Sequence, residues 1–123
     1  MSFSRVCALS QLTPGRAVAA LVHGAQVAVV RVRDYEVYAV GHHDPFSGAN
    51  VMARGIVGST TVDGDVVPTI ASPMFKQAFD LRSGTCLADP TVSLGSWPVR
   101  VVDGHVEVGP RRDDEATTDQ EAS

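Results

Sequence analysis

The residues of this chain that could do chemistry cluster around two short segments. His42, His43 and Asp44 stand together in the first segment, and Ser72 is followed four positions later by Lys76 in the second. Imidazole and carboxylate groups bind metals and transfer protons, and a serine beside a lysine can act as an activated nucleophile. The sequence therefore offers three candidate chemistries: metal binding, acid–base catalysis and nucleophilic catalysis.

The sequence argues against a metal site in the first segment. Adjacent residues of an extended chain point to opposite faces, so at most two of His42, His43 and Asp44 can converge on one ion. Cys86 has no neighbouring Cys or His at a ligand spacing. We therefore expect the histidines to be structural or solvated, and no metal to be bound by this chain.

Catalysis by these residues is equally poorly supported. Pro73 disfavours a helix that would present Ser72 and Lys76 from one face, and no oxyanion-hole motif accompanies them. Asp44 and Asp80 could form a carboxylate pair for acid–base work, but no local pattern brings them together. The chain by itself shows no catalytic equipment.

The composition fits one ordinary globular domain, with 123 residues, of which 44% are hydrophobic and 20% charged. A net charge of -4 provides no positive field that could follow a phosphate backbone, so nucleic acid is an unfavourable partner. No signal peptide and no apolar run of about 18 residues is present, so we expect a cytoplasmic protein that does not enter the membrane. In that reducing compartment Cys7 and Cys86 should not form a disulfide.

The elements that must position these residues are strands. Valine-rich apolar stretches are separated by turn signals such as His23-Gly24, Asp63-Gly64 and Asp103-Gly104, which is typical of a small sandwich or barrel. No stretch shows a sustained helical period. The predicted strands cover 18–22, 27–32, 37–40, 66–70, 99–102 and 106–108.

The hairpin at Asp103-Gly104 is the sharpest local prediction. Asp-Gly suits a two-residue type I′ turn, which requires a positive φ at both positions. Pairing Val102 with His105 then places Arg100 opposite Glu107 and valines opposite valines on the other face. Trp97 should lie on the same face as Val99 and Val101, at the buried end of the strand, while Pro98 fits only an edge or a strand start.

Two further segments are irregular in the prediction. Residues 41–58 form a long loop rich in Gly, Asn, Ser and Pro, of the kind that carries function. Residues 110–123 hold five of the chain's acidic residues and no large apolar side chain, so we expect a disordered acidic tail. The predicted division is therefore one domain over 1–109, with functional loops at about 41–58 and 71–80, and a tail over 110–123.

The order of motifs along the chain resembles the Rieske-type ferredoxin domain. The carrying segments are Val37 to Val40, Asp44-Pro45-Phe46-Ser47-Gly48-Ala49, Ser72-Pro73-Met74-Phe75, Phe79-Asp80-Leu81 and Pro98 to Val101. The resemblance implies an all-β, Rieske-like fold, a small antiparallel sandwich or barrel with a two-loop subdomain. In Rieske centres these loops supply two Cys and two His to a [2Fe-2S] cluster.

All four ligand positions of that pattern hold other residues here. The first loop has Asp44 and Phe46 in place of Cys and His, and the second has Ser72 and Phe75. Carboxylate and hydroxyl oxygens are hard ligands, whereas such a cluster takes soft thiolates and imidazoles, and phenylalanine has no lone pair. We therefore expect no cofactor in this chain and a loop tip that is filled rather than hollow.

Within that superfamily, three segments of the sequence are similar to those of the small subunits of the assimilatory NADH-dependent nitrite reductases. The segments comprise Asp44 to Val51, Arg54 to Gly58, and Ser72, Pro73, Lys76, Gln77 and Phe79 to Leu81. The resemblance implies a component of nitrite reduction to ammonium that partners a large catalytic subunit carrying FAD, siroheme and an iron-sulfur cluster. The chain would then be an accessory subunit, not catalytic alone.

The loop tip is the expected contact surface for that partner. Exposed aromatic anchors beside polar groups are typical of an interface core. The candidates are Phe46, Phe75, Lys76, Gln77 and Arg54. For the two phenylalanines, ordinary packing within the loops is an equally good interpretation. Two other functions stay open on the sequence: a stand-alone Rieske-type ferredoxin that carries electrons, and an independent protein-binding module.

Overall fold

Ten β-strands make up the regular structure of residues 2–74 and 76–112, which are the residues described by this computed structural model. The strands are β1 (Ser4–Ala8), β2 (Arg16–Val22), β3 (Ala25–Arg33), β4 (Glu36–Gly41), β5 (Ile56–Val62), β6 (Asp65–Ala71), β7 (Ala78–Asp80), β8 (Ser96–Trp97), β9 (Val99–Val102) and β10 (His105–Val108). Single turns of 3-10 helix cover Leu9–Gln11 and Met52–Arg54. The predicted all-β fold is confirmed.

The strands form three antiparallel sheets. The central sheet has the order β2-β3-β4-β8, the second β1-β10-β9, and the third β5-β6-β7. The third sheet is the subdomain that holds the two loops, since residues 42–55 connect β4 to β5 and residues 72–77 connect β6 to β7.

Strand β3 contributes to two hydrophobic cores because its successive side chains point to opposite faces. Val27 and Val29 lie in the core shared with the β1-β10-β9 sheet, which also contains Trp97 and Val106. Ala28 and Val30 lie in the core shared with the loop subdomain. That second core also holds Val40, Met52, Ile70, Phe79, Leu81, Cys86 and Leu94. All four residues from Val27 to Val30 are fully buried.

The predicted hairpin at Asp103-Gly104 is confirmed in turn and in register. Both residues have positive φ, 51° and 75°, and His105 pairs with Val102. Arg100 lies opposite Glu107, and its Nε donates to the Glu107 carboxylate at 2.7 Å. A type I′ turn fits here because its twist matches that of the two strands.

Trp97 is buried as predicted, but it belongs to a different strand from the one expected. It lies in β8, where it pairs with Ala39 of β4, while Pro98 separates it from β9. Proline has no N–H to donate to a ladder, so the chain changes sheets at this position. Val99 and Val101 still pack against the same core as Trp97.

Two other sequence predictions require correction. The irregular segment expected over 41–58 ends at Gly55, because β5 begins at Ile56. This strand is exposed at most of its positions, so it carries serine and threonine rather than a hydrophobic alternation. Strands β1, β7 and β8 were also absent from the prediction. Of the predicted tail, residues 113–123 lie outside the described residues.

Both cysteines are free thiols: Cys7 is half-buried and Cys86 is a buried core residue. Burial raises the pKa of the Cys7 thiol, which keeps it protonated at neutral pH. No helix within the described part of the chain is long and apolar enough to cross a bilayer.

Candidate functional site: the paired loops

The first loop is folded around the side chain of Asp44. The backbone N–H of Asp44 donates to the carbonyl of Ala49, and the Asp44 carbonyl accepts from the N–H of Gly48, both at 2.8 Å. Its carboxylate accepts from the N–H of Phe46 at 3.0 Å and from the hydroxyl of Ser47 at 2.9 Å. An aspartate that binds the backbone two residues on is the usual device for such a turn.

The second loop is folded in the same way around Ser72. The backbone of Ser72 accepts from Lys76 N–H at 2.9 Å and donates to the Gln77 carbonyl at 3.0 Å. Its hydroxyl oxygen accepts from the N–H of Met74 at 3.2 Å. Lys76 completes the turn with a φ of 62°, which is uncommon for a residue with a side chain.

A hydrogen bond joins the two loops. The Ser72 hydroxyl donates to the Asp44 carboxylate at 2.5 Å, and both residues are 0% exposed. The two residues that the resemblance predicts at cysteine-ligand positions therefore contact each other directly. The serine hydrogen is committed to this contact, and the same carboxylate accepts the two hydrogen bonds of the first turn.

The carboxyl group of Asp44 is ionised at neutral pH. Burial by itself raises the pKa, but the hydrogen bonds from Ser72, from Phe46 N–H and from Ser47 outweigh it, so the pKa of Asp44 is lowered from its ordinary value. A buried charge is stable only when its hydrogen bonds are made, and these neutral donors make them.

His42 supports the first loop from its base. It is 9% exposed, and its Nδ1 accepts a hydrogen bond from the N–H of Ala53 at 3.1 Å. Its carbonyl accepts from the N–H of Met52, so His42 fixes the start of the 3-10 turn. Burial, and then the nearby charge of Arg54, lower the pKa of His42, which keeps the ring neutral. His43 is exposed and pairs with Asn50 at 3.0 Å.

These contacts decide between the candidate chemistries of the sequence. Nucleophilic use of Ser72 has no support, because its hydroxyl bonds Asp44 rather than Lys76. Asp80 is engaged by the guanidinium of Arg82 at 2.9 Å. Among the described residues, no group of three or more His, Cys, Asp or Glu side chains could hold a metal ion. A carboxylate closed by hydrogen bonds and the ring of Phe46 do not fit the donor set of a [2Fe-2S] cluster.

The surface around the loop tip is apolar and exposed. Met74 is 56% exposed and Phe46 39% exposed, and Pro45 and Pro73 beside them are exposed as well. The Phe46 ring also packs on the buried Phe79, with ring centroids 6.2 Å apart. Phe79 thus holds one side of the Phe46 ring in place while part of the ring faces solvent, which is the arrangement of a rigid anchor.

The other predicted contact residues differ in their exposure. Lys76 and Arg54 are exposed. Gln77 is only half-buried, and its side-chain oxygen is buried without a hydrogen-bond partner among the described residues. Of the two phenylalanines predicted at the loop tip, only Phe46 is among the described residues.

The sequence predicts a structural or solvated His42 and assigns no role to Ser47, yet both residues build this site. The pattern Asp-Pro-Phe-Ser contains a signal for Ser47, because a serine three positions after an aspartate can close the same turn. The role of His42 joins positions 42 and 53, and no local motif marks that contact.

Comparison with known proteins places this geometry in a family. The model of the Rieske-like [2Fe-2S] domain matches residues 2–109. The nitrite reductase (NADH) small subunit of Salmonella typhimurium is 35% identical over 107 residues, covering 86% of this chain and 95% of the relative. A crystal structure from Mycobacterium tuberculosis, assigned as an NADH-dependent nitrite reductase small subunit, is 47% identical with a TM-score of 0.78, covering 87% of this chain and 93% of the other.

A third relative is a much longer protein. The nitrite reductase [NAD(P)H] large subunit of Klebsiella oxytoca matches 85% of this chain at 34% identity, and the match covers 10% of that protein. The homologous segment is therefore part of the large polypeptide in that organism. The chain belongs to the Rieske-like [2Fe-2S] domain family and is homologous to the small subunits of NADH-dependent nitrite reductase.

Proposed function

We propose that this chain is the small subunit of an NADH-dependent nitrite reductase, and that it carries no iron-sulfur cluster of its own. It would act in the cytoplasm beside a large catalytic subunit that holds FAD, siroheme and an iron-sulfur cluster. The large subunit would move electrons from NADH to nitrite, and this chain would support that reaction as a bound accessory domain spanning residues 1–109.

The observation that carries the cluster-free assignment is the hydrogen bond between Ser72 and Asp44. It joins the two loops at the positions where the family pattern has cysteine ligands, and both groups are fully buried. In a Rieske centre the metal cluster is what the two loops share. Here a carboxylate and a hydroxyl serve that structural purpose, and both groups also accept hydrogen bonds within their own turns.

Two observations support association with the large subunit. The Salmonella typhimurium relative, which matches 86% of this chain, is named as a small subunit, and in Klebsiella oxytoca the homologous segment lies within a protein named as the large subunit. A domain that is covalently linked in one organism is expected to bind the same partner when it is a separate chain in another. The exposed Phe46 and Met74, with Lys76 beside them, provide the contact surface.

Co-expression with a large nitrite reductase subunit tests the proposal. We expect the two chains to copurify, and NADH-dependent nitrite turnover to be higher with this chain than without it. A failure to copurify together with unchanged turnover would contradict the assignment.

The rival function is an electron-carrying ferredoxin, and a separate measurement distinguishes it. Protein purified under anaerobic conditions should be colourless and should lack stoichiometric iron and acid-labile sulfide. Treatment with a chelator should leave the unfolding temperature unchanged, because a chelator lowers it only where a bound metal contributes to folding. A visible cluster spectrum would overturn the cluster-free assignment even if the two subunits copurify.

A further inference from the structure

Strand β5 is an edge strand of the β5-β6-β7 sheet, and its outer side has no strand partner within the described residues. All seven residues of β5 pair with β6 on the inner side, and every one except the half-buried Val57 is exposed. Gly15, Val32 and Arg33 lie across a cavity of about 470 Å³ from the strand. There is thus room for a further strand along this edge.

The turn between β5 and β6 determines which backbone groups face outward. Both residues of the turn Asp63-Gly64 have positive φ, 51° and 84°, and Val62 pairs with Asp65. The pair that flanks such a two-residue turn is hydrogen-bonded, and bonded pairs then alternate with non-bonded pairs along the ladder. The residues of β5 whose N–H and C=O groups point away from β6 are therefore Val57, Ser59 and Thr61.

A hydrogen bond on the far side of β6 agrees with this alternation. Pro68 lies opposite Ser59, and the Pro68 carbonyl accepts from the N–H of Leu81 at 2.9 Å. Because Pro68 faces β7 in this way, it does not bond Ser59. Outside the ladder with β6, no hydrogen bond within the described part of the chain involves Val57, Ser59 or Thr61. Their outward groups are available to another strand.

The sequence of β5 lacks the features that keep edge strands from pairing. Natural edge strands are protected by lysine, proline, bulges or inward-pointing charges. Strand β5 contains no charged residue and no proline, and its pairing with β6 is regular over its whole length. Its two end residues are apolar and exposed, Ile56 by 63% and Val62 by 39%. An edge of this kind is a template for strand pairing.

We propose that β5 pairs with β5 of a second copy of this chain, antiparallel about a two-fold axis at Ser59. In this register Ser59 lies opposite itself and Val57 lies opposite Thr61 of the second copy. The outward groups of the two strands then meet in about six hydrogen bonds. Ile56 lies opposite Val62 at both ends, so each exposed apolar side chain gains an apolar neighbour.

The charges beside β5 favour the same partner and register. Arg54 precedes the strand and Asp63 follows it, and both are exposed. Neither forms an ion pair with a described residue. The two-fold register places position 54 of one copy opposite position 64 of the other, so Arg54 lies beside Asp63 at both ends of the pair. The loop tip with Phe46 and Met74 is not used, so the pairing is independent of the proposed contact with the large subunit.

Sedimentation equilibrium of the full chain tests the pairing. The interface of one strand pair is small, so we expect reversible dimers with a dissociation constant of about 10 to 300 µM. Hydrogen exchange followed by nuclear magnetic resonance locates the contact. The outward amides of β5 should exchange at least about threefold more slowly at high than at low protein concentration, whereas amides of the edge strand β2 should not change.

Ser59→Lys should weaken dimerisation about tenfold or more, because it places two like charges at the axis. Ala19→Lys is the matched control, since it adds the same charge at an exposed position of the edge strand β2, and it should leave the association unchanged. Equal effects of the two variants, or a monomer at every concentration up to about 500 µM, would overturn the proposal.

The large subunit is the alternative occupant of this edge. Protection of the β5 amides that appears only when the large subunit is added, and not with rising concentration of the chain alone, would assign the edge to that subunit and overturn the proposal. The exchange measurement uses the unchanged chain, so it decides the question even if Ser59→Lys fails to fold.

Discussion

The hydroxyl of Ser72 donates to the buried carboxylate of Asp44 at 2.5 Å, across 28 residues of sequence. This contact ties together two loops that are each already closed by their own turn. The stability of the loop subdomain therefore depends on a polar pair that is shielded from water, where a hydrogen bond is strong and an unmatched group is costly.

Ser72→Ala should destabilise the protein by about 2 to 3 kcal/mol, because it removes one donor from a buried carboxylate and leaves the N–H of Met74 without its acceptor. Urea unfolding measures this directly. Ser83→Ala is a matched control, since the Ser83 hydroxyl accepts from the backbone of Thr85 at an exposed position, and it should change stability by less than about 0.5 kcal/mol. Equal midpoints for the two variants would contradict the assigned role.

His42 should make stability depend on pH. Its pKa is lowered in the folded protein from 6.5, so the unfolded chain takes up a proton first as the pH falls. The stabilising contribution is therefore complete above about pH 6.5 and is lost as the pH falls through the folded pKa.

The variant His42→Asn tests this dependence, because an asparagine oxygen can accept the N–H of Ala53 without titrating. Unfolding midpoints measured from about pH 7.5 down to pH 5 should fall less in the variant than in the unchanged protein. The lowered pKa of Asp44 acts in a separate window, below about pH 4, where protonation removes its contribution. An identical slope in both proteins above pH 5 would rule out His42 as the titrating group.

Phe46→Ala should weaken binding of the large subunit about tenfold or more, because it removes the exposed aromatic anchor of the loop tip. Val102→Ala is the control, since Val102 is similarly exposed, 37% against 39%, but lies in the β1-β10-β9 sheet. Surface plasmon resonance with immobilised large subunit would measure both. If Val102→Ala has the larger effect, the interface lies on that sheet instead.

Gly84→Ala should be far more damaging than Gly104→Ala. Both residues have positive φ, 81° and 75°, so an alanine at either costs about 1 to 2 kcal/mol. At Gly104 the added Cβ meets open space, whereas at Gly84 it would lie 2.4 Å from the carbonyl oxygen of Gly95. Thermal unfolding of the two variants separates backbone strain from steric conflict. Equal losses would show that the chain relaxes around position 84.

Sequence patterns predicted the strands whose side chains alternate or are fully buried, and missed those without such a pattern. Strand β5 is largely exposed and polar, β8 has two residues, and a bulge between Arg5 and Cys7 interrupts β1. The hairpin at Asp103-Gly104 was predictable because one dipeptide specifies both its turn and its register.

The sequence pattern singles out Asp44 and Ser72 as replaced ligands, but it does not predict that they contact each other. Their hydrogen bond joins distant segments and depends on how β4 and β6 are placed by the two cores. The same holds for His42 and Ala53. Contacts of this kind require the tertiary structure, whereas turns and alternation are local.

Strand β3 has a consequence for cooperativity, because its side chains belong to both cores. Opening of the loop subdomain would expose Ala28 and Val30 of β3, and the same strand contributes Val27 and Val29 to the other core. The two cores therefore cannot unfold as independent units. A protein that binds the loop tip would thereby slow hydrogen exchange at amides of β3 and β4 that lie outside its contact surface. Binding at the loop tip would therefore stabilise both cores of the domain against opening.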